Sequence, residues 1–135
     1  MNYFKKILFF ISFLPTLVFG QSIFYSTHND GEIITTDSTG LNPITIYSNT
    51  SAYVNDIVVD NVNNKIYWHE RDDSTPYASK IMRSDINSFN EELVLNLPFG
   101  NIEDLQILKD TNLIYFRKMG TTNIYNNANG LLNYY

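Results

Sequence analysis

Residues 56–70 read D-I-V-V-D-N-V-N-N-K-I-Y-W-H-E: two apolar runs around an asparagine-rich knot. This copy continues with K-I-M-R-S-D at 80–85 and E-E-L-V-L-N at 91–96. A second copy runs from I-E-D-L-Q-I-L-K (102–109) through L-I-Y-F-R-K (113–118) to N-I-Y-N-N (123–127) and L-L-N-Y-Y (131–135). A partial copy precedes both, with I-F-Y-S at 23–26, E-I-I-T-T-D at 32–37 and I-T-I-Y at 44–47. The anchors stay in step. Tyr25, Tyr67 and Tyr115 are 42 and then 48 residues apart, and Ile33, Ile81 and Ile124 are 48 and then 43 apart.

A period of about 40–50 residues holding four short strands marks a propeller blade. Asp30-Gly31 and Asn129-Gly130 are two-residue hairpin signals, and both fall where the period wants a turn. Ile, Val, Tyr, Thr and Phe suit strands, and the frequent Asn suits turns. Residues 101–109 fit a helical stripe loosely, but the repeat assigns them to a strand. The fold class expected is therefore all-β: an incomplete β-propeller of about two and three-quarter four-stranded antiparallel blades. Apolar runs such as Ile57–Val58–Val59 and Ile66–Tyr67–Trp68 belong to inner strands covered on both faces, and the more polar 80–85 and 91–96 belong further out.

The repeats follow a leader. Met1 to Lys6 is basic, residues 7–19 form a 13-residue apolar core, and Gly20, Gln21 and Ser22 make a polar junction. These are the parts of a secretory signal peptide over residues 1–20, with cleavage expected after Gly20. The core is shorter than the roughly 20 residues that a spanning helix needs. The expectation is a mature domain at 21–135 with no membrane span, secreted or periplasmic. Lys5 and Lys6 leave with the leader, so seven basic and 14 acidic residues remain, a formal charge of −7. Nucleic-acid phosphates demand the opposite sign. With no cysteine there is no disulfide framework and no lipidated-cysteine anchor, so burial alone must hold the fold.

The stretch I-V-V-D-N-V-N-N-K-I-Y-W-H-E, followed by K-I-M-R-S-D-I-N-S-F-N-E-E-L-V, resembles the Tyr-Trp-Thr-Asp propellers of lipoprotein-receptor type, also called class B receptor repeats. The resemblance is best over residues 57–94 and weaker over 23–47 and 102–135. It implies that the Tyr and Trp pack between blades, and that the closing acid and the Arg of the next strand tie strands and blades together. Carried over, these positions are Asp60, Tyr67, Trp68, Glu70 and Arg83. His69 stands where the family has Thr and Glu70 where it has Asp, and the outer copies lose the acid. The family closes its ring with six blades, about 250 residues. A part-ring leaves two blade faces wanting neighbours. Either copies assemble into a ring, a homo-oligomer, or the chain is a fragment of a longer protein, or the part-ring stands alone.

Chemistry finds little purchase. His28 and His69 fall at different repeat positions and read as solvated loop residues. Asp72-Asp73 offers oxygen to calcium without the spacing of an ordered calcium loop, so no cofactor is expected. There is no G-x-S-x-G and no phosphate loop. The enzymatic rival is a metal-dependent, lactonase-like propeller hydrolase, which holds its metal at the central channel with side chains from several blades. That set is complete only in an oligomer or a longer parent. The aromatics read as blade packing rather than a sugar platform. Asn49-Thr50-Ser51 is a glycosylation sequon. The function expected is a non-enzymatic binding or structural role toward a protein or carbohydrate ligand. The candidate binding loop is 71–78, with Arg71, Asp72, Asp73 and Tyr77.

Overall fold

A computed structural model of the chain describes residues 22–72, 78–98, 100–108, 111, 113–118, 121–126 and 131–134. The leader expected over residues 1–20 lies outside them. The strands are β1 (Ile23–Thr27), β2 (Glu32–Thr36), β3 (Ile44–Ser48), β4 (Ala52–Asp60), β5 (Lys65–Asp72), β6 (Ala78–Asp85), β7 (Glu92–Leu97), β8 (Ile102–Leu108), β9 (Leu113–Lys118), β10 (Thr121–Asn126) and β11 (Leu131–Tyr134). They form three antiparallel sheets, β1-β2-β3, β4-β5-β6-β7 and β8-β9-β10-β11, each strand pairing with its neighbour in sequence. Residues 102–108 are a strand, as the repeat requires, and the helical alternative falls away. Among the described residues no helix is long and apolar enough to cross a membrane.

The sheets stack face to face, with β4 lying against β1 on one side and against β8 on the other. Two apolar clusters fill the gaps. Ile33, Val54, Ile66 and Trp68 join the first sheet to the second, and Tyr67, Ile81, Leu97, Ile102, Leu105, Ile114 and Phe116 join the second to the third. Strand β5 explains how one sheet serves both. Successive strand side chains point to opposite faces. Ile66 and Trp68 therefore enter the first cluster while Tyr67, between them, enters the second. Residues 66–70 are consequently all buried, which accounts for their unbroken apolar look.

Register aligns the sheets residue by residue. Trp68 faces Ile57 across β4–β5, and Phe116 faces Leu105 across β8–β9. Each inner strand carries a bulge just beyond, between Val54 and Ile57 and between Ile102 and Asp104. Tyr67 and Tyr115 are thus equivalent, as the spacing suggested. The first sheet differs by one step. Ile33 and Ile81 both sit at a bulge of the strand pair, opposite Tyr47 and Leu95. Across their other edges they pair with Ser26 and His69. Phe24, not Tyr25, therefore matches Tyr67, and Tyr25 matches Trp68. Ile124 pairs with Tyr115, whereas Ile81 pairs with His69. Ile124 is thus two residues out of step with Ile81.

The turns follow side-chain chemistry. Asp60, buried at the end of β4, accepts hydrogen bonds from the amides of Val62 (3.0 Å) and Asn63 (3.1 Å) and from Asn63 Nδ2 (2.7 Å). Asn64 closes this four-residue loop at φ 55°, a left-handed conformation that Asn tolerates. The β1–β2 turn lies at Asp30-Gly31 but spans four residues rather than two, since Thr27 pairs with Glu32 and only Gly31 has positive φ. Gly31 is also crowded, because a Cβ there would lie 2.0 Å from the Asn49 carbonyl oxygen and 2.4 Å from that of Ala52. In β2–β3, Asp37 accepts from Thr39, Leu41 and Asn42, and these bonds hold its pKa down to about 2.

Two substitutions test this packing. Ile81→Ala should cost about 2–5 kcal/mol in denaturant unfolding, against less than about 0.5 kcal/mol for exposed Val62→Ala. Gly31→Ala should cost at least about 2 kcal/mol, from backbone strain and the collision with the Asn49 and Ala52 carbonyls together. Equal costs at Ile81 and Val62 would contradict the cluster assignment.

Candidate functional site

The densest polar arrangement lies where the first two sheets meet, at the end of β5. The Glu70 side chain shares the Trp68 face because the two are separated by one residue. Glu70 Oε1 accepts from the Trp68 indole N–H (3.0 Å) and from the Tyr47 hydroxyl of β3, and Oε2 accepts from Asn49 Nδ2 (3.4 Å). A carboxylate of the second sheet thus holds a hydroxyl of the first and the side-chain amide of Asn49, just past the end of β3. The Tyr47 ring packs on Trp68 with centroids 4.9 Å apart. Burial, and then the hydrogen bond to Glu70, raise the Tyr47 pKa above its usual value, so it stays a neutral donor. Asn49, the sequon residue, is committed here, and its Oδ1 accepts from the Ser51 amide (3.2 Å).

His69, on the opposite face of β5, is fully buried rather than a solvated loop residue. The β5–β6 ladder extends to Asp72 and Ala78, which keeps His69 well inside the sheet. Its Nδ1 lies 3.3 Å from Asn55 Nδ2 and its Nε2 lies 3.1 Å from Ser79 Oγ. The amide can only donate, so Nδ1 accepts and the ring proton sits on Nε2. Burial, and then the nearby Arg71, lower the His69 pKa to about 4. His28 is elsewhere: exposed, stacked on Tyr53 at 5.0 Å, with the Arg71 guanidinium 4.8 Å from the same ring. The two histidines do not converge.

The remaining predicted residues scatter. Arg83 is bound to Glu92 on β7, through Nε and a terminal nitrogen at 2.7 Å each, and sits beside Tyr67. It joins strands of one sheet. Arg71 and Asp72, expected in a loop, are ladder residues of β5 that pair with Ser79 and Ala78. Asp73 and Tyr77 lie outside the described residues. Among the described residues no three His, Asp or Glu side chains gather as a metal-holding group. One acidic pair that the sequence did not single out lies on the inner strands. The bulges put Asp56 and Asp104 at matching steps of β4 and β8. Burial and then Asp104 raise the Asp56 pKa. Asp104 also borders an open cleft of about 230 Å³ with Gln106, Tyr115, Phe116 and Arg117.

No protein-family model and no curated protein matches the sequence. Solved structures do match. The crystal structure of a nidogen/laminin complex superposes with a TM-score of 0.74 at 17% identity, covering 84% of this chain and 43% of that one. An oligogalacturonate lyase in complex with manganese superposes with a TM-score of 0.67 at 12% identity, covering 81% of this chain and 30% of that one. The fold is an incomplete β-propeller. Among the described residues its three sheets are two four-stranded blades and one of three strands. The chain spans less than half the length of either matching structure.

Tyr47 packs at the blade joint as the aromatics were read to do, but the hydrogen-bonding roles of Tyr47, Asn49, Asn55 and Ser26 are unmarked in the sequence because the partners are distant in it. Ser26 Oγ, for example, donates to the Asn55 carbonyl (3.0 Å), joining β1 to β4. Replacing Glu70 with Ala leaves the buried indole N–H unpaired and should cost about 2–4 kcal/mol. Tyr47→Phe in the same background should show a coupling of about 1–2 kcal/mol in a double-mutant cycle. Additive costs would break the link between blades. His69 sets a pH dependence. Its folded pKa lies below the unfolded value of about 6.5, so the unfolded chain binds the extra proton between the two. Stability should fall by about 3 kcal/mol as pH drops from about 6.5 to about 4. The His69 ring resonances in NMR should titrate near 4. Titration near 6.5 would contradict the buried, neutral assignment.

Proposed function

We propose that the chain is a secreted, non-enzymatic propeller segment with a binding or structural role, whose open blade faces are completed by neighbouring blades. The observation that carries this reading is the contrast between equivalent positions. Ile66 and Trp68 on β5 are 0% and 1% exposed against the first blade, whereas their counterparts Ile23 and Tyr25 on β1 are 46% and 41% exposed. Ile44 on the same sheet is 62% exposed, and Thr27 Oγ1 is buried there without a hydrogen-bond partner. This is the surface that a preceding blade covers elsewhere in the molecule. The acids and the histidine that β4 and β5 bury are engaged by the scaffold itself, which supports a structural use for them. The Tyr-Trp-His-Glu motif and the nidogen likeness favour receptor-type recognition, with ligand contacts carried by loops at one end of the ring.

A second copy or further blades of a longer chain would cover the open face equally well. Sedimentation separates them: reversible self-association that Tyr25→Lys weakens supports completion by a second copy, and a monomer at all concentrations contradicts it. Expressed with its leader in a secreting host, the protein should begin at Gln21. Retention of Met1 would contradict secretion.

The rival reading, a metal-dependent propeller enzyme, draws on Asp56 and Asp104, which sit at matching steps of the inner strands, and on the likeness to a manganese-bound lyase. Calcium, zinc and manganese should leave the melting temperature unchanged. A rise that Asp56→Asn abolishes would favour the rival.

A further inference from the structure

The two ends of the stack differ in chemistry. At one end the first sheet exposes Ile23, Tyr25 and Ile44. At the other, alternation puts Asp104 and Gln106 on the face of β8 opposite buried Leu105, and Tyr115 and Arg117 on the face of β9 opposite buried Ile114 and Phe116. Register sets Asp104 across from Arg117 and Gln106 across from Tyr115. With Phe116 between the last two, these residues line the open cleft of about 230 Å³.

The second blade shows what is unusual about this face. By the register of Phe116 and Trp68, its matching positions are Asp56, Val58, Tyr67 and His69. There Val58 and Tyr67 pack in the cluster shared with the third blade, and His69 is buried. The third blade has Gln106 for Val58 and Arg117 for His69, and Tyr115 belongs to neither apolar cluster. An apolar face such as that of β1, laid here, would take water from a carboxylate, an amide and a guanidinium without supplying partners. The face suits a polar occupant.

The scaffold also leaves these groups their bonding capacity. Glu70, Asp60, His69 and Arg83 are engaged within the protein. Among the described residues Asp104, Gln106 and Tyr115 make no side-chain hydrogen bond, and Arg117 meets only Glu103, at 3.5 Å. The carboxylate accepts, the guanidinium donates and the amide does both. Adjacent hydroxyls of a sugar call for that mixture, since each of them donates and accepts. The Tyr115 ring adds apolar surface for the C–H face of the sugar. An anionic ligand would be repelled by Asp104 and a cationic one by Arg117, because the two charges face each other in register. The volume lies below the roughly 300–1,000 Å³ of sites for drug-sized ligands, which suits a single sugar unit.

We propose that this cleft binds one unit of a neutral saccharide, stacked on Tyr115 and held through its hydroxyls by Asp104, Gln106 and Arg117. This deepens the binding role proposed above and rests on it. It places the ligand contact on a sheet face rather than in a loop, and leaves blade completion to the apolar face at β1.

The test uses the isotope-labelled purified chain with neutral tetrasaccharides of glucose, mannose and galactose, and with an oligogalacturonate as the acidic contrast. In NMR a neutral saccharide should shift the Gln106 side-chain amide and the Arg117 Nε–H saturably, and its own C–H signals should move upfield over the Tyr115 ring. Gln106→Ala and Tyr115→Ala should each weaken binding about fivefold or more, whereas Tyr115→Phe should retain it. Gln106 is exposed, so its truncation leaves the fold intact and carries the test should Tyr115→Ala unfold. No response to any neutral saccharide, or equal binding of the oligogalacturonate, would overturn the proposal. Saccharide-induced shifts confined to residues outside the cleft would overturn it too, while leaving a binding role for the chain and the sedimentation test of the apolar face standing.

Discussion

A sheet in this molecule cannot bury its apolar residues alone, so each must press both faces on neighbours. β5 shows the constraint most plainly. Its alternation sends Trp68 and Ile66 to one side and Tyr67 to the other, and both sides are apolar. No single closed sandwich satisfies such a strand, because one of its faces would be left in water. Stacked sheets satisfy it, and the stacking continues until the ring closes or the chain runs out of blades.

Polar groups fix how the stacked sheets meet. Burial supplies most of the energy, at roughly 25 cal/mol per Å² of apolar surface, but it is not directional. Glu70, holding Tyr47, Asn49 and the Trp68 indole, sets the angle and register of the first joint. Ser26 on the Asn55 carbonyl does the same nearer the inner strands. A buried acid left without these donors would be costly, so the joint forms with all of them or is strongly destabilised. The third blade has Lys118 where the second has Glu70, judged by the register of Phe116 and Trp68. The node is therefore a property of one joint rather than of every blade.

Much of this was legible in the sequence, and the misses share a cause. The repeat gave three sheets, eleven strands and the strand at 102–108, because a period of short apolar runs reports the ladder directly. Parity was harder. Tyr25 looked like the partner of Tyr67, but loop lengths differ between copies. Spacing alone does not say which face a residue takes, and one step moves a side chain to the other face. His69 looked solvated because its partners, Asn55 and Ser79, are 14 and 10 residues away and visible only in the fold. The bonds of Tyr47 and Asn49 to Glu70 were illegible for the same reason, since nothing local marks a residue whose role is to meet a carboxylate on the next blade.

The division of β5 between two joints is the claim on which the rest stands, and nuclear Overhauser contacts from its two neighbouring rings test it directly. Trp68, the only tryptophan in the sequence, should show contacts to Tyr47 and Ile33, and Tyr67 should show contacts to Ile102 and Leu105, with neither ring sharing the other's set. Contacts from both rings to a single set of side chains would mean one closed core, and the stacked-blade account would be wrong.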